Sequence, residues 1–295
     1  VIKRLAFAYD AFFRRIKRNE KPGFPRFKGK NRYDSFTLRQ TGWKLNGRYL
    51  VIRNIGTFKL RLSRLIEGNI KTVTIRRNST SKWYVSFACE NVPTKTLPES
   101  QSIIGIDVGL ENFATLSNSS TIENPRYFKN GHDILRKRQQ SLSRKVKGSN
   151  RRNKARILVA KAHEKVKNQR RDFRYKTATT LLREYGTVCI EDMKSWNGFK
   201  NLNKSMRDAS WFEFFNILCF KAEDAGRTVI KVPARGTSQL CSQCGARVPK
   251  DLSVRIHSCP HCGLTIHRDY NSALNILQAG QASHSLSAPA SGYHL

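Results

Sequence analysis

Two cysteine pairs, Cys241-Ser-Gln-Cys244 and Cys259-Pro-His-Cys262, stand fourteen residues apart, and no other feature restricts the fold of this chain as much. Pairs at that spacing can close four thiolates into a tetrahedron around one Zn²⁺, and such a module folds because metal binding offsets the entropy of its loops. A redox disulfide would need only one pair, and chance does not readily match four positions. Gly245 and Gly263, each directly after a knuckle, suit the tight turns that such ribbons need. His257, His261 and His267 lie close by; since four sulfurs complete a structural site, they are read as surface or phosphate-contacting residues. The zinc is therefore expected to be architectural.

The remaining cysteines, Cys89, Cys189 and Cys219, sit singly in apolar runs. That usage is expected of a reduced, metal-using intracellular protein. Charge narrows the partners. Fifty-five Lys and Arg against 21 Asp and Glu give a net charge of +34, far more than solubility requires and in the range of a polyanion binder. No stretch approaches the roughly 20 apolar residues that span a bilayer, so no membrane partner is expected and a cytoplasmic, nucleoid-associated location is. At 295 residues and 39% apolar content the chain can bury one large core or two to three modest ones. It begins at Val1 without a visible signal peptide, and the true N-terminus is expected to lie upstream.

Apolar residues between basic ones over 1–18 read as an amphipathic helix. The basic loop Pro22-Gly-Phe-Pro-Arg-Phe-Lys-Gly-Lys30 follows, with aromatics suited to stacking on bases. From Asp34 to Glu90 short antiparallel strands are predicted, the clearest at 49–53, 70–76 and 83–90. Residues 102–116 read as a hairpin with Asp107-Val-Gly-Leu-Glu-Asn at its turn. A helical section is predicted from Leu135, broken at Gly148-Ser149-Asn150 and closed near Tyr185 with Gly186 as cap. A buried strand is expected at 187–192, a helix at 212–225 capped by Gly226, and a strand at 228–232; this alternation argues for an α/β sheet.

Between Arg136 and Lys176 the chain carries seventeen Lys or Arg and two acids, Glu164 and Asp172. Val159, Ala162, Val166 and Phe173 mark a thin apolar seam suited to a helical hairpin. A solvated helix face is the plain reading of a charge run. A sustained excess of one sign favours polyanion contact instead, and Arg136, Lys137, Arg138, Arg144, Lys145, Lys147, Arg151, Arg152, Lys154, Arg170, Arg171 and Arg174 are the candidate nucleic-acid-binding residues.

Three acids stand where acid is expensive. Asp107 ends Ile103-Ile104-Gly105-Ile106, Glu191 ends Val188-Cys189-Ile190, and Asp269 opens a helix-like segment. Taken singly, Asp107 could start a turn, Glu191 could pair with an arginine and Asp269 could cap its helix. Together, two strand-end acids and one at a helix entrance make a converging cluster that cannot stay ionised without cations. A pair of Mg²⁺ ions in such a pocket cuts phosphodiesters by in-line attack of water.

These residues carry a resemblance. Gly105-Ile-Asp107-Val-Gly, the Ile190-Glu191-Asp192 strand end, Lys221-Ala-Glu-Asp-Ala-Gly226-Arg, Thr237-Ser-Gln-Leu-Cys241-Ser-Gln-Cys244-Gly and His267-Arg-Asp269-Tyr-Asn-Ser-Ala-Leu-Asn-Ile together resemble the TnpB (OrfB) family of transposon-encoded proteins, kin to type V CRISPR effectors. The resemblance implies a mixed α/β and β fold: a RuvC nuclease domain of RNase H-like fold with a zinc-ribbon insertion, preceded by a β-rich wedge domain. It divides the chain into a remnant of the helical recognition region and basic loop (1–33), the wedge (34–98), the leading segment of the nuclease with the basic hairpin (99–235), the zinc ribbon (236–266), the nuclease end (267–280) and a tail (281–295). It implies an RNA-guided DNA endonuclease, monomeric in a ribonucleoprotein with a guide RNA and target DNA. Asp107, Glu191 and Asp269 match the three carboxylates, and Cys241, Cys244, Cys259 and Cys262 the zinc ligands. The alternatives are a non-cutting RNA-guided binder, which loss of an acid would mark, and an inactive truncated remnant. Against the resemblance two departures are expected: the sequence starts near the family's last recognition helix, without its further N-terminal stretch, and His267 stands where many relatives carry an acid.

Overall fold

The computed structural model describes residues 2–26, 29, 33–192, 203–234, 236–251 and 253–287. They form two compact units, 1–93 and 94–295.

The first unit starts with α1 (Ile2–Lys17) and continues through β1 (Ser35–Leu38), β2 (Trp43–Asn46), β3 (Tyr49–Ile52), β4 (Gly56–Lys59), β5 (Asn69–Arg77) and β6 (Trp83–Glu90). Two antiparallel sheets result, ordered β1-β5-β6 and β2-β3-β4. Alternation along the strands turns Leu50, Ile52, Val73 and Ile75 into a shared core, with Phe36, Leu38, Val85 and Phe87 packed on it. The β2–β3 hairpin turns at Gly47-Arg48, between the paired Asn46 and Tyr49, with Gly47 at φ 56°. Helix α1 is tied to β1 through Arg4, which donates to the Ser35 carbonyl at 2.9 Å and to the Thr37 hydroxyl at 2.7 Å. In the basic loop, Phe24 packs edge-on against Tyr9 and Phe12; Phe27, Lys28 and Lys30 fall outside the described residues.

The second unit is built on β7 (Ile103–Val108), β8 (Asn112–Leu116), β9 (Thr121–Glu123), β10 (Thr187–Glu191) and β11 (Thr228–Val232), in the order β11-β10-β7-β8-β9. The first three form an antiparallel meander; β10 and β11 run parallel to β7. Helices α2 (Tyr127–Ser143) and α3 (Asn150–Glu184) form the basic hairpin, and α4 (Asn203–Ala209), α5 (Trp211–Ala225) and α6 (Arg268–Ser287) complete the unit. The two faces of the sheet have different coverings. Ile104, Ile106, Val188 and Ile190 share a core with α3 and α5, while Cys189 and Val232 pack on Ile276 of α6 with Ile103 and Ile230. By the two-residue period of a strand, Asp107 and Glu191 belong to the α6 face.

Several boundaries differ from the sequence reading. Asp107 lies inside β7, and the hairpin turns after it, at 109–111. Helix α2 begins at Tyr127, not Leu135, because Asp208 of α4 accepts from its first N–H groups, Phe128 at 3.0 Å and Lys129 at 3.4 Å; a cap contributed eighty residues away has no local signal. Gly186 is not the helix cap, since the C-cap is Tyr185 in an extended conformation. It is glycine because a Cβ there would stand 1.7 Å from the Ser100 carbonyl oxygen. Gly226 does cap α5, at φ 66°. The expected tail from 281 continues α6 through Ser287, Ser and Ala being compatible with a helix already seated on the sheet; residues 288–295 lie outside the described set.

Candidate active site

Register and close approach bring the three acids together. On the parallel pair, Ile190 is opposite Ile106, so Glu191 and Asp107, the next residues on each strand, are neighbours at the C-terminal end of the sheet. Helix α6 crosses that face in near contact. A Cβ on Gly105 would lie 2.3 Å from the Ala273 carbonyl oxygen and 2.7 Å from the Leu277 nitrogen. From Ala273 back to Asp269 is one turn, a rise of about 6 Å; from Gly105 on to Asp107 is about 6.6 Å of strand. The missing side chain at 105 therefore sets Asp269 level with Asp107.

Electrostatics agree with that placement. Burial pushes the Asp107 carboxyl well above the usual carboxylate range, the charges of Glu191 and Asp269 push it the same way, and the Arg268 guanidinium partly opposes them. Burial also raises Glu191, against a hydrogen bond from the Thr237 hydroxyl to Oε1 at 2.5 Å. Asp269 is buried, with Arg268 Nε donating to its Oδ1 at 3.3 Å. Buried, mutually repelling oxygens with little countercharge are a donor set that fits hard divalent cations. The four cysteines form a second cluster, with their sulfurs all within 4.8 Å of one another.

The cysteine quartet is built by two similar turns. Gly245 N–H donates to the Cys241 carbonyl and Gly263 N–H to that of Cys259, at 2.9 and 3.0 Å, and both glycines adopt positive φ. Sγ atoms of Cys241 and Cys262, and of Cys244 and Cys259, are 3.6 Å apart. A tetrahedron with Zn–S of about 2.3 Å has edges of about 3.8 Å, so the sulfurs fit zinc. The second knuckle sits in a hairpin of β12 (Ile256–Ser258) and β13 (Thr265–His267). Strand alternation there corrects the reading of His257, which is fully buried with its Nδ1 against Lys250 Nζ rather than on the surface. His261 is exposed, and His267 Nδ1 accepts from the Asp269 N–H at 3.3 Å.

The twelve basic candidates divide. Arg136, Lys137, Arg144, Lys145, Lys147, Arg151, Lys154 and Arg171 are exposed along the α2–α3 hairpin. The other four are committed to internal contacts. Arg138 donates to the Leu158 carbonyl at 2.8 Å, and Arg152 to the Leu142 and Lys145 carbonyls at the end of α2, at 3.0 and 2.8 Å. Arg170 grips Asp208 at 2.6 Å, and Arg174, 5% exposed, pairs with Glu213 at 2.5 Å. Arg174 is thus a correction: a buried guanidinium cannot meet a phosphate. The seam predicted for α3 is present, with Val166 buried and Val159, Ala162 and Phe173 half-buried.

Sequence reasoning gave no role to Thr237 and Arg268, which bond Glu191 and Asp269, or to Asn271 and Asn275, which bond the segment that carries Thr237. Asn271 Nδ2 donates to the Leu240 carbonyl at 2.7 Å, and Asn275 Nδ2 to those of Thr237 and Leu240 at 2.7 and 2.8 Å. Their spacing of four on one helix face was the signal that could have identified them.

Comparison with known proteins completes the description. Residues 86–201 match the OrfB_IS605 family, described as a probable transposase, and residues 211–276 match the Cas12f1-like TNB domain. A putative RNA-guided DNA endonuclease of Streptomyces pristinaespiralis is 35% identical over 288 residues, covering 96% of this chain and 70% of that protein. The putative RNA-guided DNA endonuclease InsQ of Escherichia coli K12 is 34% identical over 302 residues, covering 95% and 73%. Among solved structures, the fold resembles that in a cryo-EM structure of a Cas12f1–sgRNA–target DNA complex, with a TM-score of 0.51 at 21% identity over 70% of this chain and 45% of that one. No described helix is long and apolar enough to cross a membrane. A mixed α/β sheet with three converging acids, a thiolate quartet and identity of this extent to such relatives has one reading: the chain belongs to the TnpB (OrfB) family of transposon-associated proteins.

Proposed function

We propose that this protein is an RNA-guided DNA endonuclease whose cutting centre is Asp107, Glu191 and Asp269. The observation that carries the reading is the convergence of these acids, from two adjacent strands and the helix laid across them. The strand order, an antiparallel meander extended by two parallel strands, supports an RNase H-like (RuvC) fold, and the sheets of residues 34–93 support a wedge domain.

The three carboxylates would hold divalent cations, Mg²⁺ in the cell and two in number, the arrangement that serves in-line displacement at a phosphodiester. Cations held there would supply Lewis-acid polarisation of the scissile phosphate and a lowered pKa for the attacking water. The chain's own contribution is placement. Glu191 is oriented by Thr237, Asp269 by its seat on α6, and Asp107 is kept ready for cation by the repulsion that makes its bare ionised form costly. The cysteine quartet would hold Zn²⁺ as a structural ion. The exposed basic residues of the α2–α3 hairpin grip nucleic-acid backbone by charge, while pairing with a guide RNA selects the target DNA. The protein works as a monomer within that ribonucleoprotein, in the cytoplasm and at the nucleoid.

The test is to sequence RNA that copurifies with the chain, and to assay cleavage of a matching DNA by the parent, D107A, E191A and D269A. Loss of cleavage with nucleic-acid affinity retained is expected of all three variants. Cleavage surviving in any of them, or affinity lost in step with it, refutes the assignment.

A further inference from the structure

The second acid is held by a segment that also carries the first zinc ligand. Residues 237–242 run from Thr237, whose hydroxyl donates to Glu191 Oε1 at 2.5 Å, to Cys241 and Ser242. Helix α6 binds three of the six residues of that run, Thr237, Leu240 and Ser242, through side-chain amides. Asn275 donates to the Thr237 and Leu240 carbonyls; Asn271 donates to the Leu240 carbonyl and accepts from the Ser242 N–H at 3.0 Å; Gln278 donates to the Ser242 carbonyl at 2.8 Å. Positions 271, 275 and 278 share one face of the helix whose first turn carries Asp269. Asn271 is fully buried and Thr237 is 8% exposed, so the bonds these two make form largely out of competition with water, where a displaced partner is costly, while Asn275 is half-buried and Gln278 lies at the exposed end of the row.

We propose that Thr237 is a positioning residue for Glu191, and that the α6 amides and the cysteine knuckle brace it, making second acid, third acid and zinc ribbon one rigid assembly. The inference rests on the active-site reading above and adds to it. A carboxylate awaiting a cation has free rotamers; a charge-assisted bond to one oxygen fixes the side chain before the cation arrives. The side-chain contacts of the Thr237 hydroxyl are Glu191 and, at 3.4 Å, the Ala234 carbonyl, so its effect on the site runs through Glu191. The ladder makes Thr237 insensitive to local motion because its backbone carbonyl is fixed by the same Asn275 that fixes Leu240, next to the knuckle.

Titrating the zinc-loaded 295-residue chain with Mn²⁺ and following free ion by electron paramagnetic resonance tests this without a guide or a substrate. T237V should bind Mn²⁺ about tenfold more weakly while keeping one zinc per chain, T237S should return to within about twofold of the parent, and N275A should fall between them. Mn²⁺ affinity of T237V equal to the parent overturns the proposal. Should T237V lose zinc, T237S against T237A isolates the same hydroxyl, and equal affinity in that pair overturns it too. E191Q separates the two levels: weakened binding there with none in T237V removes only the brace, whereas parental binding in E191Q removes the active-site reading and the brace with it.

Discussion

Replacing Gly105 with alanine should disable the active site without touching an acid. The added Cβ would meet the Ala273 carbonyl oxygen at 2.3 Å, the Leu277 nitrogen at 2.7 Å and the Leu277 Cβ at 2.8 Å. All three atoms belong to the frame of α6, so no side-chain rotation relieves the overlap. Carbon and oxygen come to rest at about 3.3 Å, which requires α6 to retreat by about 1 Å. Overpacking of that kind costs about 1–3 kcal/mol, and for a unit of this size each kcal/mol lowers Tm by about 2–4 °C. Asp269 lies one turn from the collision and moves with the helix. A misplacement of about 1 Å at reacting groups costs on the order of 100-fold in rate. Single-turnover cleavage at saturating Mg²⁺, with nucleic-acid affinity measured in parallel, should show that loss with affinity retained, and thermal denaturation should show a drop of several degrees. Cleavage within twofold of the parent at an unchanged Tm would refute the seating of α6 on β7.

Asp107→Asn has a signed pH effect in metal-free protein. Burial, Glu191 and Asp269 raise the folded-state pKa of Asp107, so its contribution to stability is full below the unfolded value and is lost as pH rises through the raised one. The variant should melt above the parent at pH 7, by a smaller margin toward pH 4, and Mg²⁺ should raise the parent's Tm alone; a variant melting below the parent at pH 7 contradicts the account. Arg151→Ala should flatten the salt dependence of nucleic-acid binding by about one unit of slope. Arg152→Ala should leave the slope and lower Tm instead, because its guanidinium closes the end of α2; a slope change of the same size in both would show that exposure does not sort these residues. Cys241→Ser should lose zinc and thermal stability together, and unchanged zinc by elemental analysis would dismiss the four-thiolate site.

Legibility in the sequence followed the range of the interaction. The strands at 49–52, 187–191 and 228–232, helix α5 with its Gly226 cap and the two cysteine knuckles all carry their signals within a few residues, as alternation, periodicity or positive-φ glycine. The start of α2 was misplaced because its cap, Asp208, comes from α4. Gly186 was misread because its neighbour is the Ser100 carbonyl, invisible to any local rule. Arg174 looked like its exposed neighbours in a basic run, and only the packing of α3 on α5 buries it against Glu213.

The sequence by itself determined which chemistry the chain can perform: hard oxygens at the ends of apolar runs, soft sulfurs at zinc spacing and a one-signed helical hairpin are properties of residue type and short-range order. Tertiary structure decided which of those groups meet. Adjacency of β7 and β10, the glycine contact that lowers α6 onto them and the bond from Thr237 to Glu191 join residues far apart along the chain. Such contacts depend on how faces pack once hydrophobic burial has chosen the layers, and one strand of residues does not record its future neighbours.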